Sequence, residues 1–160
     1  MKKIIISCFV AFGILGSLKA QESFNENIEE IAHWQEDYSK VKKLAKSENK
    51  PILIFFTGSD WCGPCKMLVS DVFKTEKFKK LSEEEFILYE ANFPRNKDLI
   101  SKSQKNDNSK LKETFGIKTY PTVVILDPKE KELGRLKGYN LMRETSYHYS
   151  FFKENIKNLE

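Results

Sequence analysis

Residues 51–66 read PILIFFTGSDWCGPCK, and this stretch restricts the fold more than any other in the chain. PILIFFT is a continuous apolar run rich in branched and aromatic residues, the pattern of a strand buried on both faces. Gly58, Ser59 and Asp60 supply a turn. From Cys62 to about Phe73, Met67, Leu68 and Val72 recur at helical spacing. A strand that needs cover on both sides, followed at once by a tight turn and a helix, points to a layered α/β architecture.

The two cysteines sit at the start of that helix. Unpaired backbone N–H groups and the positive end of the helix dipole face the Cys62 sulfur, favouring thiolate over thiol and lowering its pKa from about 8.5. Cys62 is therefore expected to be the exposed, reactive thiol. Cys65 follows three residues later on the same helical face, within reach of a disulfide. Gly63 lets the turn tighten, and Pro64 is tolerated because a first-turn N–H has no helical partner to lose. Other uses of the pair are a metal site or an inert staple. Zinc would need about four ligands, and His33 and His148 lack ligand spacing. Copper would have to recruit Met67, a residue more at home in a core. A disulfide closing so small a loop would stabilise little. No metal and no organic cofactor are expected.

The chain opens MKKIIISCFVAFGILGSLKA, two lysines and then an apolar stretch from Ile4 to Leu18, which is the layout of a secretory signal peptide. Residues 1–20 are read as that leader and 21–160 as a single domain. An uncleaved membrane anchor is the alternative. Without the leader, 27 basic side chains against 23 acidic become 24 against 23, and the formal charge falls from +4 to +1. The basic character thus says little about partners, and no Lys/Arg cluster with interleaved aromatics argues for nucleic acid. Cys8 leaves with the leader, so an exported protein keeps one local pair and no framework of disulfides. About 140 residues can bury a core without cross-links.

Along the domain, Tyr38, Val41, Leu44 and Ala45 predict a helix ending at Asn49, before Pro51. The helix after Cys62 is expected to continue or bend through Lys80. FILYEAN (86–92) reads as a strand. Residues 94–110 read as a surface insertion with a weak helix, firmer at LKETFGI. YPTVVILD (120–127) is another strand, ELGRLKGY a shorter edge strand, and Arg143 to Leu159 a closing helix with Tyr147, Phe151 and Leu159 near one face. Alternation followed by a hairpin predicts a mixed sheet with helices on both faces. Tyr147, His148 and Phe152 read as core and helix surface.

WCGPCK between strand and helix resembles the active-site motif of the thioredoxin family, and Thr119-Tyr120-Pro121-Thr122 before VVIL resembles that family's cis-proline strand. KPILIFFTGSDWC, YEANFPRN and TVVILDPKEKELGRLKGY are similar to exported bacterial thioredoxin-like proteins and to the C-terminal domain of the Dsb-system membrane reductase. The resemblance implies a thioredoxin-like α/β fold. It implies Cys62 as attacking thiol, Cys65 as resolving thiol and Pro121 as a cis-proline facing them. Tyr120 would pair its backbone with an extended substrate, and Trp61, Gly63 and Pro64 would line the contact. The buried aspartate usual in thioredoxins is missing: Phe55 and Phe56 occupy the corresponding positions, and Glu90 is the candidate proton acceptor in its place. Asp60 reads as a turn residue. The implied activity is reduction of protein disulfides in the periplasm by a monomer served by a membrane electron donor. An oxidase or isomerase using the same pair, or a non-catalytic binding module, are the rival readings.

Overall fold

A computed structural model describes residues 32–157. The leader expected over residues 1–20 lies outside the described residues, as does Leu159. The central sheet has five strands in the order β1-β3-β2-β4-β5: β1 Trp34–Gln35, β2 Ile52–Thr57, β3 Ile87–Asn92, β4 Thr122–Leu126 and β5 Glu132–Lys137. β1, β3 and β2 run parallel, and β4 and β5 add antiparallel pairings. This is the mixed sheet expected from the sequence.

All six residues of β2 are buried, as its unbroken apolar run requires of a central strand. Alternation splits its side chains between two cores. Leu53 and Phe55 join Cys62, Cys65, Leu68, Phe73, Phe78 and Phe152 on one face. Ile52, Ile54 and Phe56 join Tyr38, Val41, Ala45, Tyr89 and Leu111 on the other. Helices α2 (Gly63–Leu68), α3 (Glu76–Glu85) and α5 (Ser146–Lys157) therefore cover the first face, and α1 (Tyr38–Glu48) and α4 (Lys102–Thr114) the second.

The helix ends follow local chemistry. Asp37 caps α1 through Ser39 and Lys40 N–H, and Asn49 ends it at φ 51°, the left-handed conformation asparagine tolerates. The helix carrying the cysteines passes into a π-helical turn over Val69–Phe73 and stops. α3 is a separate helix, capped by Thr75. The sequence allowed a bend here but not this break.

Two expectations are corrected, and one strand was not foreseen. Residues 94–110 hold no weak helix that firms later: after a 3-10 turn at Lys97–Leu99, α4 runs as one 13-residue helix started by a Ser101/Gln104 capping box. Beside Leu111, its other inward anchor is polar. Buried Asn108 accepts from Tyr89 Oη at 2.7 Å and donates to the Asn92 carbonyl at 2.8 Å. The closing helix buries His148, Tyr149, Phe152 and Asn155, so its face is turned by one residue from the Tyr147/Phe151 line. Gly134 permits this, since a Cβ there would stand 2.5 Å from Asn155 Oδ1. Finally, β1 was not foreseen; it exists by pairing Trp34 and Gln35 with Leu88 and Tyr89.

Candidate active site

The turn after β2 is built from interactions across the chain. Gly58 accepts from Cys62 N–H at 2.8 Å, and Asn92 at the end of β3 accepts from Ser59 N–H at 3.0 Å. Asp60 is more than a turn residue. Its two carboxylate oxygens accept the N–H groups of Arg95 and Asn96 at 3.0 and 2.9 Å, binding the 94–96 loop to the site and holding the carboxyl below its ordinary value. The same loop seats Trp61, whose Nε1 donates to the Phe93 carbonyl at 2.8 Å. The indole packs against Gly58, where a Cβ would come within 2.2 Å of it. It meets Tyr120 edge-on at 5.6 Å and stays 37% exposed.

Cys62 is the N-cap of α2, in extended conformation, and Pro64 falls in the first turn. Its Sγ accepts Cys65 N–H at 3.3 Å, a bond that would hold a thiolate on the same atom. The two sulfurs form a disulfide, with S–S 2.03 Å and Cα–Cα 5.2 Å. Residue exposures are 3% for Cys62 and 1% for Cys65. The expectation that Cys62 stands exposed is corrected for this oxidised state: the bond folds its sulfur back over the first turn of α2. Gly63 has open space at its Cβ position, so no neighbour crowds the turn.

Pro121 follows a cis Tyr120–Pro121 bond. Antiparallel pairing sets Thr122 opposite Phe56, which places Pro121 alongside the end of β2 and the turn into Cys62. Gly138 N–H donates to the Pro121 carbonyl at 2.8 Å, tying the end of β5 to the same place.

Glu90 is not an exposed strand-end residue. It lies within β3, registered with Phe55 on β2, and shares that residue's face of the sheet. It is half-buried, and burial first, then the charge of Glu36, raises its pKa. A cavity of about 500 Å³ has Cys65, Phe55, Trp34, Thr57 and Glu90 in its walls and Lys66 and Lys74 at its edge. Phe55 thus occupies the side of the strand that faces Cys65, and Glu90 approaches the same space from the next strand.

Sequence reasoning missed one tie to the helix of the cysteines. Asp71, in the π turn, accepts from Tyr139 Oη at 2.7 Å and from Arg143 Nε at 2.8 Å, and it pairs with the second guanidinium nitrogen as well. These bonds, Arg143 foremost, hold the Asp71 carboxyl down at about 2. The partners are about 70 residues apart in sequence, so nothing in the local pattern could pair them.

A disulfide across the first turn of a helix, on a five-stranded mixed sheet with a cis-proline starting the adjacent strand, defines a thioredoxin-fold redox site. The chain belongs to the thioredoxin-like domain family, whose model matches residues 38–147. It is 31% identical over 101 residues to the disulfide bond reductase DsbH of Chlamydia pneumoniae, covering 63% of this chain and 60% of that protein. To the thioredoxin-related protein DsbJ of the same organism it is 28% identical over 125 residues, covering 78% of this chain and 35% of that protein. The chain therefore matches less than two thirds of either relative's length. Among solved structures, a DsbH oxidoreductase superposes with a TM-score of 0.69 at 26% identity, covering 79% of this chain and 85% of its own. The oxidised C-terminal domain of Neisseria meningitidis DsbD shares the fold at a TM-score of 0.54 and 16% identity, covering 74% and 91%.

Proposed function

We propose that the protein is a thiol-disulfide oxidoreductase of the bacterial cell envelope that reduces protein disulfides through Cys62 and Cys65. The observation that carries this reading is the Cys62 sulfur at the cap of α2, disulfide-bonded to Cys65 and accepting its N–H. That sulfur is at once the electrophile of the oxidised form and a stabilised thiolate in the reduced one.

In the reduced protein, Cys62 thiolate attacks one sulfur of a substrate disulfide. The substrate S–S bond breaks, a mixed disulfide forms, and one substrate thiolate leaves and takes a proton from water. Cys65 then gives its proton to Glu90 and attacks Cys62 Sγ, closing the Cys62–Cys65 bond and expelling the second substrate sulfur as a thiolate, which takes its proton from water while Glu90 returns its own to solvent. Glu90 suits this step because burial raises its proton affinity and its side chain lines the same cavity as Cys65. Pro121 and Tyr120 present the substrate to Cys62, and Trp61, Gly63 and Pro64 form the surface around it. Two electrons must return before the next turnover, which a membrane-bound donor would supply.

The reducing direction is supported by the Gly-Pro pair between the cysteines and by the name of the DsbH relative, and the envelope location by the leader-like residues 1–20. Insulin reduction driven by dithiothreitol tests the activity. The wild type should precipitate the insulin B chain well above the uncatalysed rate, and Cys62→Ser should fall to background. A wild type at background would refute the reading and leave a non-catalytic binding module.

A further inference from the structure

Among the described residues, Leu141 and Met142 are the most exposed large apolar side chains, at 82% and 88%. They sit at the end of the sheet that carries the disulfide. β5 ends at Lys137 opposite Thr122, and Gly138 holds the Pro121 carbonyl, so the loop that follows leaves from beside the cis-proline.

This loop is held rather than loose. Tyr139 and Arg143 clamp it to Asp71 on the helix of the cysteines, Arg143 N–H closes a turn onto the Asn140 carbonyl at 3.1 Å, and Asn140 Oδ1 accepts Glu144 N–H at 3.2 Å. Two adjacent apolar side chains, held in water on the loop that leaves from beside the cis-proline, offer an apolar contact to a bound polypeptide.

A second surface, beginning at Trp61 beside Cys62 in the chain, has a different chemistry. Trp61, Tyr120 and Phe93 form an aromatic shelf carrying cations: Arg95 lies 5.7 Å from the Trp61 ring centre, and Lys112 lies 5.4 and 5.8 Å from those of Phe93 and Tyr120. Lys118, just before the cis-proline segment, is exposed as well. Asp60 directs both carboxylate oxygens to the backbone N–H groups of Arg95 and Asn96.

We propose that the Leu141–Met142 tip and the Arg95/Lys112 shelf read the residues flanking the target cysteine. The preferred substrate is then an extended polypeptide disulfide with an apolar side chain on one side of its cysteine and an acidic one on the other. This rests on the reductase reading above and names its substrate class. The apolar contact excludes water as the mixed disulfide forms, and the cations draw in the acidic flank.

The test is a competition in one vessel, using full-length protein and two synthetic peptide disulfides. One carries leucine and glutamate flanks, and the other serine at both places. Burial of one leucine-sized contact corresponds to about a tenfold preference in kcat/KM for the first peptide. Leu141→Ser/Met142→Ser should remove that tenfold contribution and leave only the salt-dependent preference for the glutamate flank. Both side chains are exposed, so the fold is spared. Arg95→Gln/Lys112→Gln should lower the ratio and remove its decline with added salt. A wild-type ratio near one, or a ratio unchanged in Leu141→Ser/Met142→Ser, overturns the inference and leaves the reductase intact. Reduction of neither peptide overturns both.

Discussion

Replacing His148 with phenylalanine should make the fold less sensitive to acid. The imidazole is fully buried in α5, both ring nitrogens lack a hydrogen-bond partner, and its neighbours are the rings of Tyr139, Tyr147 and Phe152. Burial holds its pKa down at about 4 against an ordinary 6.5. The unfolded chain therefore takes up the proton first as pH falls, so the folded state loses stability from about pH 6.5 down to about pH 4. The full difference corresponds to about 3 kcal/mol, or about 2 kcal/mol once relaxation around the buried charge is allowed for. In a domain of this size that lowers Tm by about 6–10 °C. Phenylalanine fills the same space without titrating. Urea melts of both proteins at pH 7 and pH 4 give a double difference in which groups common to both, Asp71 among them, cancel. The wild type should lose about 2 kcal/mol more than His148→Phe over this interval. Equal losses would mean that water or a shifted side chain accommodates the imidazolium, and that burial is not what disfavours it. Because Tyr139 bridges His148 and Asp71, the same loosening should reach the helix of the cysteines.

Gly58→Ala places a methyl on the Trp61 indole; it should cost about 1–3 kcal/mol in a urea melt and shift tryptophan emission as the Nε1 bond to Phe93 breaks. Asn108→Ala leaves Tyr89 Oη and the Asn92 carbonyl without their partner. A loss of about 1–3 kcal/mol in the same melts is expected, against little change for the exposed Ser109→Ala. Glu90→Gln removes a carboxyl whose folded pKa is raised, so the native charge is a burden above the unfolded carboxylate value. The variant should be more stable than wild type at pH 7 and lose this advantage in acid. Its mixed disulfides should resolve more slowly in stopped flow, with the pH dependence of Cys62 alkylation nearly unchanged; a wild-type rate would place Glu90 outside the chemistry.

The strands β2, β3 and β4 were legible because each is an apolar run that only a covered sheet can accommodate, and the end of α1 because Asn49 and Pro51 both break a helix. The cysteine pair was legible through its place between such a strand and a helix. What escaped depended on distant partners. β1 is two residues long and has no pattern of its own until Leu88 and Tyr89 pair with it. α4 carried its capping signal in Ser101 and Gln104, yet of its two buried residues, Leu111 and Asn108, the second is one that no search for apolar periodicity would choose. The turned face of α5 depends on a glycine in another strand. Glu90 could be nominated from the sequence, but its burial followed only from the register of β3 against Phe55.

The central claim is that Cys62, and not Cys65, attacks a substrate disulfide. Cys65→Ser, fully reduced and mixed with a disulfide-bonded peptide, should accumulate one mixed disulfide, mapped by mass spectrometry to Cys62. Cys62→Ser treated alike should form its Cys65 adduct at least about tenfold more slowly, because that thiol lacks the helix-cap position. Equal rates of trapping at the two cysteines, or no adduct on Cys62, would contradict the assignment.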